Sequence, residues 1–121
     1  MKTLTPQKEN VICLLMAARF LISDVKNWTQ RALARDSDSY ACHPRDNIAT
    51  KWCAVGAMTA FNLKLYEVEN LAIRELRITF CKRYNKKSLE LFNDNRKFSK
   101  TQNHSAILSL YDETIQRLVK S

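Results

Sequence analysis

One glycine and two prolines occur among the 121 residues. Hairpin-rich folds use both residue types at tight turns, so this scarcity argues against a β-rich architecture. It also excludes every glycine-rich phosphate loop, because the dinucleotide fingerprint and the P-loop each need several glycines. A bilayer-spanning stretch is missing as well. The longest apolar run, Val11 to Ile22, is interrupted by Arg19 and falls short of the roughly 20 residues a span needs. Lys2 and Lys8 give it a basic start, but Arg19 within it fits a helix opening at Pro6 better than an export signal. Close metal-ligand pairs of the C-x(2–4)-C or H-x(3–5)-H kind are absent. Cys42, His43, Cys53 and His104 are therefore read as ordinary loop and core residues, with no metal and no cofactor expected.

What is present suits a small helical domain. Residues of the set AVILMFWYC make up 45% of the chain, enough for a real core. The length corresponds to one domain over 1–121. Helical spacing of apolar residues runs from Thr5 to about Ile22, through Val11, Leu14, Leu15, Ala18 and Leu21, with Ile12 and Phe20 widening the face. A short helix is expected over Ser23 to Arg35, on the stripe Val25, Trp28, Ala32 and Leu33. Asp36 to Pro44 reads as the main loop. Asp46 to Phe61 carries one stripe of small residues (Ala49, Cys53, Gly56, Ala57, Ala60) and a larger one (Ile48, Trp52, Val55, Thr59). Being apolar nearly all round, it is expected to be the central helix. Gly56 within it points to another backbone passing close by. Further helices are expected from Glu67 to Tyr84, stopped by Asn85, and from Asn103 to Lys120. A short element spans Ser88 to Phe92, and Asn93-Asp94-Asn95 forms a turn. The fold class expected is thus all-α, with about five helices around the helix at 46–61. A helix apolar on all sides can be covered by its own chain or by a second copy, so the oligomeric state stays open.

The four cysteines are Cys13, Cys42, Cys53 and Cys81. Three lie in apolar helical patterns, where a thiol behaves as a small buried hydrophobe. Without an export signal, reduced thiols in a cytoplasmic protein are expected. Cys42, beside His43 and near Arg45, is the one weighed as a reactive thiol. The buried environment expected for Cys53 makes that thiol inert.

Three stretches stand out: Trp28-Thr29-Gln30-Arg31-Ala32-Leu33-Ala34-Arg35-Asp36, then Trp52-Cys53-Ala54-Val55-Gly56-Ala57, then Phe92-Asn93-Asp94. Together they resemble a family of small uncharacterised bacterial and phage proteins, known only as a domain of unknown function. Its chains show W-x-Q-x-x-x-A-R-D, W-C-A-x-G-A and F-N-D motifs. The likeness covers Val11 to Val119. It implies a shared helical fold and a phage or mobile-element setting, and carries no catalytic assignment.

Two functional readings follow. Arg74, Arg77, Lys82, Arg83, Lys86, Lys87, Arg96, Lys97 and Lys100 face only Glu75, Glu90 and Asp94 in the stretch 74–100, which thereby holds six of the chain's eight net positive charges. Tyr84 and Phe98 interleave with them. Such a cluster is the footprint of a nucleic-acid binder or of a protein that docks on an acidic surface, as an inhibitor of a host or defence factor would. It also fits a merely solvated face. No helix-turn-helix spacing accompanies it, since Asn62 to Tyr66 separates the two central helices expected. A non-catalytic binding protein is therefore expected. The rival is an enzyme or small-ligand binder, using Arg35, Asp36, Asn93 and Asp94 with Trp28 and Trp52 as walls. Turn Asn and Asp residues more commonly serve as structural caps.

Overall fold

The computed structural model describes residues 6–61, 66–84, 89–94 and 99–121. Thr5, the spacer 62–65, Asn85, Ser88, Asn95 and Phe98, along with four of the nine basic residues (Lys86, Lys87, Arg96 and Lys97), lie outside the described residues.

Three long helices form where the apolar spacing is strictest. Helix α1, Pro6–Leu21, buries Val11, Ile12, Leu14, Leu15 and Ala18, with Ile22 following. Phe20 does not join this face: it is 80% exposed. The expected helix over 67–84 is α3, Tyr66–Tyr84, with Glu67 and Glu69 in its first turn and Lys82 and Arg83 in its last. Both pairs complement the helix dipole. It buries Val68, Ala72, Leu76, Thr79 and Phe80. Helix α5, Lys100–Lys120, begins three residues before the expected Asn103. Ser99 accepts the Gln102 amide, and the Gln102 side chain accepts the Ser99 amide in return. This capping box satisfies two backbone donors that apolar periodicity does not register. Helices α1, α3 and α5 pack against one another around one core cluster. Polar contacts tie the same helices together. Arg19 meets Asp112 at 2.9 Å, Arg117 meets Glu75 at 3.0 Å, and the Thr114 hydroxyl donates to that of Thr79 at 2.7 Å.

The stretch between α1 and α3 departs from the all-α expectation. No helix spans 23–35. Asp24 accepts the Lys26 amide and caps a single 3-10 turn, Val25–Asn27. Trp28 is already extended, and Arg31 takes a left-handed φ of 64°. Three two-residue strands follow: β1 Ala34–Arg35, β2 Ala41–Cys42 and β3 Lys51–Trp52. They form an antiparallel sheet in the order β2-β1-β3, with Ala34 opposite both Cys42 and Trp52. The molecule is thus mostly helical with a small sheet.

The long helix expected at 46–61 is also absent. Its place is taken by turns, by β3 and by the single helical turn α2, Gly56–Thr59. The reason lies in the backbone bonds. The Cys53 amide donates to Leu33 O at 3.1 Å and the Ala54 amide donates to a distant Asn93 side chain at 3.2 Å. Neither partner is an i−4 carbonyl. Gly56 nevertheless does what its sequence position suggested. A Cβ there would lie 1.9 Å from the Leu33 carbonyl oxygen. A short helix α4, Leu89–Asn93, packs on α5. The cysteines also differ from expectation. None of the four is joined in a disulfide, but only Cys53 is buried; Cys13 and Cys81 are exposed on their helices.

Candidate functional site

Asn93 ends α4 and is 3% exposed, so its amide must find partners inside the protein. Its Oδ1 accepts from the buried Trp28 Nε1 at 2.9 Å and from the Ala54 amide at 3.2 Å. Its Nδ2 donates to Thr29 O at 3.2 Å and to Asp94 Oδ1 at 3.1 Å. The full capacity of a carboxamide is used. The Asn93 carbonyl accepts from Gln30 Nε2 at 2.8 Å. Asp94 Oδ1 also takes the Arg31 amide at 2.7 Å, which holds that residue in its left-handed conformation. Arg35 fastens the same loop: Nε donates to Thr29 Oγ1 at 3.1 Å, Nη2 to Gln30 O at 3.1 Å and Nη1 to Ser39 O at 2.9 Å.

The structure therefore brings Trp28, Arg35, Asn93 and Asp94 into one network and leaves Asp36 and Trp52 in other roles. Asp36 Oδ1 accepts the amides of Asp38 and Tyr40 and closes its own turn. Trp52 donates from Nε1 to Pro44 O at 3.0 Å. Asp36 and Asp94 accept the amides of different loops. Thr29, Gln30 and Arg31 belong to the network although sequence reasoning passed over them. The signal that pointed to them was Trp28, whose buried indole N–H needs an acceptor and so draws a polar element to it. Tyr111, fully buried on α5, donates its hydroxyl to Ala54 O. Full burial, followed by the nearby Cys53 thiol, pushes its phenol well above the ordinary range. His104 is buried as well, its Nε2 against Ile22 O at 2.6 Å and its ring 5.5 Å from that of Trp28.

Beside this network lies a cavity of about 310 Å³. It is walled by residues 31–33 of the first stretch, residues 53–55 of the second, and Leu89, Asn93 and Asp94. The three segments singled out in the sequence thus converge on one opening.

The thiols and imidazoles are dispersed. His43 Nδ1 accepts the Arg45 amide at 3.0 Å, and Cys53 Sγ accepts the Gly56 amide at 3.2 Å. Among the described residues no three His, Cys, Asp or Glu side chains gather as metal ligands. Desolvation, then the carboxylates of Asp46 and Asp36, raises the Cys42 thiol above its usual range, which disfavours the thiolate a nucleophile requires.

Five members of the basic stretch are described. Arg74, Arg77 and Lys82 line one open groove on α3 together with Ile73, Ile78 and Cys81. The groove measures about 430 Å³. Arg83 turns toward α5, donating to Ser109 Oγ at 2.8 Å and lying 3.8 Å from Glu113. Lys100 is exposed at the start of α5. No described helix is long and apolar enough to cross a membrane. No family model, curated protein or solved structure matches the chain.

Proposed function

We propose that this chain is a non-catalytic binding protein that engages a polyanionic surface through the basic stretch 74–100. That surface is nucleic acid or the acidic face of a host protein, in the phage or mobile-element setting that the family likeness implies. The reading rests on one observation: Arg74, Arg77 and Lys82 share a single groove on α3. Offsets of three and eight positions from Arg74 place all three along this groove, where their fields add. Lys100 adds charge at the start of α5, and Lys86, Lys87, Arg96 and Lys97 follow the sequence clustering. The rival reading, an enzyme or small-ligand binder at Arg35, Asp36, Asn93 and Asp94, has less behind it. The Asn93 amide and most of the Arg35 guanidinium are already committed to protein partners.

The test is binding of the purified chain to a mixed-sequence DNA duplex, followed by fluorescence anisotropy across a salt series. Capture from a host lysate with and without nuclease runs in parallel. Affinity for a polyanion falls steeply with salt, because counterions are released on binding. Arg74→Glu with Lys82→Glu, or Lys86→Glu with Lys87→Glu, should each weaken the complex by about tenfold or more. Nuclease-resistant capture that both double variants abolish identifies an acidic protein instead. Binding that ignores both salt and these variants, or no binding in either format, defeats the reading.

A further inference from the structure

The cavity beside Asn93 has a distribution of charge that the network does not consume. Asp94 gives Oδ1 to the Arg31 amide and to Asn93 Nδ2. Its Oδ2 has no hydrogen-bond or ion-pair partner among the described residues. The Arg31 side chain is exposed, and among the described residues its guanidinium has no partner either. Both residues line the same cavity, yet they meet only through the Arg31 backbone amide and form no ion pair with each other. The rest of the wall is largely apolar, with Leu33 46% exposed and Val55 and Leu89 beside it. Opposite charges at one opening, neither paired among the described residues and both beside an apolar wall, complement a ligand that carries both signs on a small apolar body.

We propose that this cavity binds a free aliphatic α-amino acid, with its ammonium on Asp94 Oδ2, its carboxylate on the Arg31 guanidinium and its side chain against Leu33, Val55 and Leu89. The positions of the two protein charges follow from the fold. Asn93 orients the Asp94 carboxylate, and the Asp94–amide bond holds Arg31 in its left-handed conformation. Strained backbone of this kind persists where surrounding contacts impose it. The volume of about 310 Å³ sits at the small end of ligand pockets, which suits a metabolite rather than a nucleotide. Charge-assisted contacts at both ends supply orientation, and the apolar wall supplies selection for side-chain size. The site is separate from the basic groove on α3, so it stands or falls independently of polyanion binding.

Isothermal titration calorimetry of the natural chain with L-leucine, leucinamide or N-acetyl-leucine reads binding directly. L-leucine is expected to bind at one site per chain. Leucinamide lacks the carboxylate and N-acetyl-leucine lacks the amine, so each should bind at least about tenfold more weakly. Asp94→Asn keeps an oxygen for the Arg31 amide, and Arg31→Asn suits a left-handed φ. Each variant should lose leucine affinity by a similar factor with its melting temperature retained. The ligand series on the natural chain tests the idea without relying on either variant. Absence of binding at millimolar leucine overturns the proposal. So does leucinamide binding as tightly as leucine, which would mark a plain amine site, or leucine affinity unchanged in both variants.

Discussion

At the residue scale, the geometry at Asn93 and Gly56 leads to large effects from small changes. Asn93→Ala would strand the Trp28 indole N–H, the Ala54 amide and the Thr29 carbonyl in the interior. Each unsatisfied buried group costs about 1–3 kcal/mol, so a loss of about 3 kcal/mol or more is expected in urea unfolding. Gly56→Ala drives a methyl into the Leu33 carbonyl, 1.9 Å away. The backbone cannot give way there without breaking the Cys53–Leu33 bond, and about 3 kcal/mol is again expected by the same measurement. Tyr111 gives a pH-dependent case. Its folded-state pKa lies above the ordinary value of 10.0. The unfolded chain therefore releases this proton first, and stability falls as pH rises through about 10. Tyr111→Phe should cost about 1 kcal/mol at neutral pH through the lost bond to Ala54 O. It should also remove part of the alkaline decline. Comparing unfolding midpoints at pH 7 and above pH 10 for the two proteins checks both signs.

At the scale of elements, the box that starts α5 is separable from the core, because Ser99 and Gln102 are both exposed. Ser99→Ala should cost about 1 kcal/mol, and thermal melting reads it directly. The elements also show what the sequence disclosed. Helices α1, α3 and α5 were legible because each buries one stripe of a long amphipathic pattern, and that pattern has no competing explanation over 16 to 21 residues. The stretch from Ser23 to Phe61 was not. Its apolar residues recur at helical spacing, but Trp28, Cys53 and Ala54 are held by partners far away in sequence. Strands of two residues are too short to display an alternation. The stripe of small residues around Gly56 reflected a real close approach and the wrong element. Of the candidate polar site, Asn93, Asp94, Arg35 and Trp28 were recognisable as polar or aromatic residues in turn-like settings. Arg31 and Gln30 were hidden, since their part depends on backbone groups and a left-handed φ.

At the scale of the whole molecule, the three long helices form the frame, α2 packs on α1 and α3, and the strands of the sheet pair with one another. Amide exchange should be slowest at buried positions such as Leu15, Leu76 and Leu110, and faster across Asp36–Thr50, where the described side chains are mostly exposed. Hydrogen-exchange mass spectrometry with peptide resolution tests this order. The Asn93 junction has a kinetic consequence as well. Its bonds to Trp28 and Ala54 close chain separations of 65 and 39 positions. The helical frame rests on non-directional apolar burial, whereas the junction needs several hydrogen bonds aligned at once, so it is expected to close after the folding transition state. Asn93→Ala should leave the refolding rate nearly unchanged and accelerate unfolding by about a hundredfold in stopped-flow measurements. The junction thus governs how long the native state lasts once it has formed.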